Sequence, residues 1–330
     1  CEKIMEQTNG IGQLLWNLRE MEGVRQTQLC KGLCSHAKYV RIEYDQQEMD
    51  FFLIDRLMGR LGKSVERLTY VLPIEVYEIY ELRQEIQQNI CLGKWEEAEQ
   101  SLEEYQKNRK AEEPLHQQFI EQEYAQIAWL RGESAETVCE HLEKAIAQTM
   151  PEAETQRKTG ILSVEEYKLL LFRWEVCFGT ERERGEKELQ ELTEEIFQKN
   201  FERTERVKVI PYAALLKAKT SQDGKQDTYL KMITETALEN LREEGKLLYM
   251  PEILKQYAKI LEKENGAVTA LVKKETVQRY ESQAVVEKWF DHSLPGFVAA
   301  FLGEKKLSRK EAEELKQLID TYQEDGEYMR

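Results

Sequence analysis

The chain has 330 residues and a formal charge of −15, from 47 Lys and Arg against 62 Asp and Glu. Hydrophobic residues make up 41% of it, which is enough for a packed core, while 17 Gly and 6 Pro are too few for a turn-rich sheet protein. The length favours two or more domains, and no apolar stretch reaches the ~20 residues of a membrane span. Composition therefore predicts an all-α protein of several domains that does not cross a bilayer.

The six cysteines are scattered along the chain and form neither a dense disulfide framework nor paired metal knuckles. Cys30 and Cys34 lie four residues apart, but no second pair of ligands stands near them. We interpret them as small residues packed in a core rather than as a metal or redox pair. This usage favours a reducing compartment and predicts a cytoplasmic protein.

Charge is distributed unevenly. Residues 1–72 carry ten basic and ten acidic side chains, so the whole excess of negative charge lies in the remainder of the chain. An acidic surface repels phosphate groups, and any contact with nucleic acid is therefore expected from the neutral N-terminal part.

Residues 1–73 show the pattern of a small domain of five short helices. Apolar residues at helical spacing begin the first helix at Ile11. The next helices are predicted over 26–33, from Ser35 onward, over 51–61 and over 65–72, where Pro73 stops the last one.

Residues 74–266 show longer amphipathic helices in pairs, and the period of 40 to 50 residues is typical of a helical-repeat solenoid. The predicted pairs are 75–91 with 95–110, 115–131 with 134–149, 163–178 with 185–200, and 206–220 with 228–244. Residues 267–330 differ again, with an aromatic and apolar cluster followed by a charged helix. We treat them as a third, helical segment.

The most informative stretch is GVRQTQLCKGLCSHAKYVRIEYDQQ, residues 23–47. A short helix, a tight turn at Gly32 and a helix capped by Ser35 match the helix-turn-helix motif. Tyr39 and Ile42 are expected to pack inward, which leaves basic and hydrogen-bonding groups on the outer face, where an arginine can recognise guanine.

This stretch resembles the lambda-repressor-like (XRE) helix-turn-helix family, and within it the Rgg/PlcR-type peptide-responsive regulators of the RRNPP group. The resemblance is carried by Gln28-Leu29, by Gly32 to Ser35 and by Arg41-Ile42-Glu43. It implies DNA binding, a tetratricopeptide-like (TPR-like) body and a short peptide ligand. It also implies roles for individual residues: an internal pair of Arg19 with Glu43, phosphate contacts from Gln26, Ser35 and Gln46, and base-edge positions for His36, Ala37, Lys38 and Arg41.

Two residues depart from the pattern of that group. Asp45 stands where a glycine is usual, although Asp tolerates a left-handed backbone. Val40 replaces a serine and cannot donate a hydrogen bond to phosphate, so weaker DNA affinity is expected.

The tail carries a second resemblance. Residues 289–320, WFDHSLPGFVAAFLGEKKLSRKEAEELKQLID, look like the C-terminal dimerisation region of the penicillinase-repressor (BlaI/MecI) family, and the likeness extends back to about Ala270. The resemblance implies self-association through Trp289, Phe290, Leu294, Phe297, Phe301, Leu315 and Leu318. The alternative is that this cluster only caps the open end of the solenoid.

Two functions remain open on these grounds. The first is a dimeric DNA-binding transcriptional regulator that senses a ligand, which the resemblance implies is a short peptide, with double-stranded DNA and a second copy as its other partners. The alternative is a protein–protein adaptor whose helix-turn-helix has degenerated. No phosphate loop, nucleotide fingerprint or zinc-protease motif is present, so neither an enzyme nor a metal or other cofactor is expected.

Overall fold

The computed structural model describes residues 10–47, 50–65, 74–107, 113–159, 161–178, 182–220 and 227–265, with four isolated positions between 308 and 316. The chain divides into two compact units, residues 1–266 and residues 267–330. Every regular element bounded within the described ranges is an α-helix, as the composition predicts, and all of these helices belong to the first unit. No helix in the same ranges is long and apolar enough to span a membrane.

Four described helices form the N-terminal head. They are α1 (Ile11–Met21), α2 (Gln26–Leu29), α3 (His36–Glu43) and α4 (Phe51–Arg60). Ser35 caps α3 by accepting the Lys38 N–H, and Asp50 caps α4 by accepting the Phe52 N–H. Most of the fifth predicted helix, and the predicted boundary at residue 73, lie outside the described residues.

The second helix is shorter than its predicted span of 26–33, because it ends at Leu29. Gly32 has a φ of +76°, a left-handed conformation that cannot continue a right-handed helix. Residues 30–34 therefore form the turn that leads into α3.

The body consists of ten helices within the described residues. They are α5 (Ile74–Cys91), α6 (Trp95–Gln106), α7 (Pro114–Arg131), α8 (Ala135–Thr149), α9 (Ala153–Lys158), α10 (Val164–Phe178), α11 (Arg182–Gln198), α12 (Arg203–Thr220), α13 (Asp227–Glu243) and α14 (Met250–Asn265). The four predicted helix pairs are α5 with α6, α7 with α8, α10 with α11 and α12 with α13, and the partners of each pair contact one another. The short α9 and the long α14 were not predicted as separate helices.

The head and the body share one hydrophobic core. The cluster that contains Leu29, Tyr39 and Leu57 of the head also includes Leu115 and Ile161 of the body. A Cβ atom on Gly32 would lie 2.2 Å from the Thr149 carbonyl oxygen, so the helix-turn-helix turn lies directly against the end of α8. Glycine is required there both by the backbone angle and by this close approach.

A buried ion pair also joins the head to the body. Arg60 at the end of α4 binds Glu166 on α10 through both carboxylate oxygens, at 2.5 and 3.1 Å, and both side chains are 0% exposed. Arg60 also donates to the carbonyl oxygens of Leu29, Lys31 and Thr149. One guanidinium therefore connects the end of α2, the following turn, α8 and α10.

Candidate nucleic-acid interface and ligand cleft

The third helix is held in place by its buried face. Tyr39 and Ile42 are fully buried and share a core cluster with Leu29 and Leu33, as their spacing predicts. Their burial turns the opposite side of α3 to the surface, where Ser35, His36, Ala37 and Arg41 are exposed and Lys38 is half-buried. The cations Lys38 and Arg41, three residues apart, thus lie on the side of the helix away from the core.

Arg19 and Glu43 form an ion pair inside the head. Arg19 Nε lies 2.5 Å from Glu43 Oε1, and the Tyr39 hydroxyl donates to the same oxygen at 2.7 Å. Burial opposes ionisation of Glu43, but the hydrogen bonds from Arg19, Tyr39 and Gln26 outweigh it and hold the pKa of that carboxyl below its usual value. The pair connects α1 to the end of α3 and fixes the orientation of α3.

Gln26 takes part in the same network. Its Nε2 donates to Glu43 Oε2 at 2.5 Å, and its Oε1 lies 3.1 Å from His36 Nε2. Gln26 therefore contacts both the last residue of α3, Glu43, and the first, His36. His36 is exposed but positioned by this contact, whereas Gln46 lies exposed just beyond α3.

Asp45 stands where the regulator group usually has glycine, and it adopts a left-handed conformation with a φ of +53°. Its carboxylate accepts the Gly12 N–H at 2.9 Å, at the beginning of α1. Asp45 therefore caps α1, a role that a glycine at this position could not supply. Val40 is half-buried on α3.

A cleft of about 530 Å³ lies between α4 of the head and α5, α7, α10 and α12 of the body. These four body helices are the first members of their pairs. The cleft is lined by Phe51, Phe52, Ile54, Asp55, Arg56, Ser64, Val65, Tyr80, Arg83, Gln84, Gln87, Leu115, Gln118, Phe119, Gln122, Glu165, Lys168 and Lys208. It combines aromatic and aliphatic side chains with a larger number of charged and amide groups.

The dimerisation residues expected from the tail all lie outside the described residues. They are Trp289, Phe290, Leu294, Phe297, Phe301, Leu315 and Leu318. Their role remains a prediction.

Residues 254–321 match the penicillinase repressor family. The predicted resemblance of the tail to this family is thereby confirmed, and the match begins further back than the expected start near Ala270, at a residue on α14. No curated protein matches the chain.

Two solved structures resemble the chain. Bacillus thuringiensis PlcR in complex with the peptide PapR7 and DNA is 15% identical, with a TM-score of 0.44, and the match covers 91% of this chain and 100% of that one. Streptococcus dysgalactiae SHP pheromone receptor Rgg2 is 12% identical, with a TM-score of 0.31, and the match covers 76% and 99%. Both names are those of the group that residues 23–47 resemble.

Two cysteines differ from the expectation, drawn from the sequence, of scattered thiols in a reducing compartment. Cys139 on α8 and Cys177 on α10 form a disulfide, although no spacing motif joins them. Their 38-residue separation hides the pairing, which exists only because α8 and α10 pack together. Cys30 and Cys34 are free thiols, and the described residues contain no group of three or more side chains that could hold a metal ion.

Several important side chains were not singled out from the sequence. Arg60, Glu166, Arg56 and Arg83 look like ordinary charged residues of amphipathic helices. One signal was available for Arg60, since it stands next to Leu61 at the end of a helix whose other residues are mainly apolar. Ser163, three residues before Glu166, is a local partner, since it donates to Glu166 Oε2. The partners described above for the three arginines come from other segments and could not be identified locally.

Proposed function

We propose that the protein is a DNA-binding transcriptional regulator that dimerises and senses a ligand through its helical-repeat body. The observation that carries this proposal is the arrangement of side chains on α3. Arg41 is exposed and Lys38 is half-buried on one side of this helix, while Tyr39 and Ile42 are buried on the other side. An α-helix with such groups fits the major groove of B-DNA, which is about 12 Å wide. The names of the matched proteins and of the matched family agree with this role.

In this proposal each residue of the head has a defined task. Lys38 and Arg41, with His36 and Ala37, face base edges, while Ser35 and Gln46 contact phosphates on either side. Gln26 contacts phosphate and also positions His36 for DNA binding through the contact between their side chains. Arg19 and Glu43 keep α3 in position and do not touch DNA.

The cleft between α4 and the body is the proposed ligand site, and a short peptide is the proposed ligand. One wall of the cleft belongs to the head and the others to the body, so a ligand there contacts both. A ligand that binds more tightly in one position of the head than in another shifts the protein towards that position. The resulting change in the free energy of DNA binding is limited by the difference between the ligand's binding free energies in the two positions.

Dimerisation through residues 267–330 would present two heads to one operator. Two recognition helices in successive major-groove faces lie about 34 Å apart. The proposed location of such a regulator is the cytoplasm.

A gel-shift experiment tests the DNA-binding role. Wild-type protein is used to select a duplex from a random pool, and the variant with Lys38→Ala and Arg41→Ala is then compared with it. We expect the variant to lose about tenfold or more in affinity, because each removed cation makes a phosphate or base contact. Circular dichroism and thermal unfolding should be unchanged, since neither side chain belongs to the core.

The matched control removes the same charge elsewhere, through Lys94→Ala and Lys107→Ala, both exposed on the body. This control should bind DNA as the wild type does, with the same dependence on salt. Equal affinity of the Lys38/Arg41 variant would contradict the assignment of α3. A wild-type protein that selects no duplex at any salt concentration would support the adaptor instead.

A further inference from the structure

The cleft contains two arginines whose hydrogen-bond partners are neutral. Arg56 on α4 donates from Nη1 to Gln118 Oε1 at 2.5 Å. Arg83 on α5 donates to the Tyr105 hydroxyl at 2.7 Å and to the Leu115 carbonyl oxygen at 3.3 Å. Among the described residues neither guanidinium has a carboxylate oxygen within ion-pair distance. Buried or half-buried arginines normally have such a partner, whereas Asp55, Glu123 and Glu165 act on these two only from beyond contact distance.

Arg83 is fixed rigidly. Its guanidinium carbon lies 4.0 Å from the centre of the Phe52 ring and 4.4 Å from that of Phe119, so the group is held between two aromatic faces. Burial lowers the pKa of Arg83, which reflects the free-energy cost of keeping its charge away from water. An anion beside it would offset this cost.

Arg56 is oriented by an amide that cannot rotate freely. Gln118 is 1% exposed, and its Nε2 donates to Thr149 Oγ1 at 2.6 Å and to the Ala145 carbonyl oxygen at 3.2 Å. Its Oε1 is thereby directed to Arg56. Arginine has five N–H donors in a planar fork, so a single bond to Gln118 leaves the geometry for a bidentate oxyanion contact available.

The other charges of the cleft largely compensate one another. Lys168 binds Glu165 at 3.0 Å, and Lys208 binds Glu205 at 2.6 Å, each pair being three residues apart on one helix. Asp55 is the remaining acid on the cleft wall. Two guanidiniums without an ion-pair partner in the described part of the chain, against the one carboxylate of Asp55, leave an excess of positive charge on the cleft wall, in a chain whose formal charge is −15.

We propose that this cleft binds an oxyanion carried on an apolar group, with Arg56 as the residue that pairs with the oxyanion. The inference deepens the proposed ligand-sensing role and rests on it. Phe51, Phe52, Tyr80 and Phe119 supply the surface for the apolar group. The oxyanion is a carboxylate or a phosphate, both of which the arginine fork accepts. Since Arg56 belongs to the head and Arg83 to the body, the bound anion bridges the two.

The test uses the full chain and a matched set of small probes at constant ionic strength. N-acetyl-phenylalanine supplies the carboxylate on an aromatic group, phenyl phosphate supplies the phosphate, and N-acetyl-phenylalanine amide is the neutral control. Binding is followed by the rise in melting temperature and by calorimetric titration. We expect at least one anion to bind and the neutral amide to bind about tenfold more weakly or not at all. The stronger of the two anions identifies the source of the oxyanion.

Variants at Arg56 connect this binding to the residue. Arg56→Gln should weaken binding of the preferred anion by about tenfold, while Arg56→Lys, which keeps the charge but loses the fork, should fall between it and the wild type. Arg131→Gln removes an exposed arginine outside the cleft and should change nothing. If neither anion binds, if the amide binds as tightly, or if Arg56→Gln and Arg56→Lys both bind the anion like the wild type, the proposal is wrong.

A gel shift with the Arg56→Gln variant separates this inference from the proposed function. Without a probe the variant should bind the selected duplex as the wild type does, because Arg56 lies away from α3. A wild-type protein that selects a duplex but binds neither anion more tightly than the neutral amide would overturn only the assignment of the cleft. Anion binding by a protein that selects no duplex would overturn the regulator and leave the oxyanion site in place.

Discussion

At the scale of single residues, burial and local partners give similar side chains opposite behaviour. Glu166 is buried, yet the charge and hydrogen bonds of Arg60 outweigh the effect of burial and lower its pKa to about 2. Glu123 on α7 is just as buried, but its Oε1 has only the Gln87 amide as a donor, at 3.1 Å. Burial therefore raises the pKa of Glu123 to about 7. The first carboxylate is a structural anion, whereas the second titrates near neutral pH.

Glu123 should make the free energy of unfolding depend on pH. Its folded pKa is above the usual 4.5, so its contribution to stability is present below pH 4.5 and is lost as the pH rises through about 7. Relative to Glu123→Gln, the wild type should lose about 3 kcal/mol between pH 5 and pH 8. Urea unfolding of both proteins across this range measures the difference.

The control for this prediction is Glu133→Gln, at an exposed position just after α7. Its unfolding free energy should follow the wild type at every pH. Parallel curves for the wild type and Glu123→Gln would mean that the buried carboxylate stays ionised throughout.

At the scale of elements, the head depends on contacts between the beginning of α1 and the end of α3. A Cβ atom on Gly12 would lie 2.0 Å from the Ile42 carbonyl oxygen, so the two helices meet there without a side chain between them. Asp45 completes the junction by accepting the Gly12 N–H at 2.9 Å. The Arg19–Glu43 pair joins the same two helices farther along. The position of α3 is therefore set by α1 as much as by its own core residues.

Replacement of Asp45 tests this junction. Asp45→Ala should destabilise the protein by about 2 kcal/mol, from the lost cap together with the cost of a left-handed alanine. Asp45→Asn keeps an acceptor oxygen and a residue type that tolerates this conformation, so its loss should be a small fraction of that. Chemical unfolding of the three proteins gives the comparison.

Asp45→Gly separates the two contributions, because glycine adopts the conformation freely but cannot cap α1. Its stability should lie between those of the alanine and asparagine variants. Equal stability of Asp45→Ala and the wild type would show that the Gly12 contact contributes nothing.

At the scale of the whole molecule, the head is not an independent domain but packs against the body. Arg60, Glu166 and the Gly32 turn connect it to α8 and α10, and Lys199 adds hydrogen bonds to the carbonyl oxygens of Arg60 and Leu162. Burial lowers the pKa of Lys199 to about 7, so this lysine changes its charge near neutral pH. A displacement of α10 would therefore act, through Arg60, on the turn before α3.

Breaking the Arg60–Glu166 pair should be costly. Glu166→Gln leaves Arg60 buried and charged without its counter-ion, and we expect a loss of about 3–5 kcal/mol in unfolding free energy. Arg60→Met with Glu166→Leu removes both charges but also takes a donor from the carbonyl oxygens of Leu29, Lys31 and Thr149, so it should recover only part of that loss. Because the folded pKa of Glu166 is depressed, the stability that the wild type derives from it should be present above pH 4.5 and fall as the pH drops towards about 2.

Urea unfolding at neutral and acidic pH measures these effects. The exposed pair of Arg131 with Glu99 provides the control, since Glu99→Gln removes an ion pair that remains in contact with water and should have little effect. A Glu166→Gln protein as stable as the Glu99→Gln protein would be incompatible with a structural role for the buried pair.

The sequence alone was sufficient for most of the helices, though not for α9, α14 or the end of α2, because helix formation leaves a local record in apolar periodicity, caps and stop signals. Ser35 as a cap, Tyr39 and Ile42 as inward residues, and the four helix pairs of the body were all legible in this way. The pairing of Arg19 with Glu43 was reached through a resemblance, since 24 residues separate the two.

Tertiary structure decided everything that depends on distant segments meeting. Arg60 and Glu166 are 106 residues apart, Cys139 and Cys177 are 38 apart, and the cleft brings Arg56 and Arg83 together from the head and the body. A charged residue has the same local pattern whether it ends in water or in a buried pair. Only the packing of helices determines which, because burial removes the water that would otherwise solvate the charge.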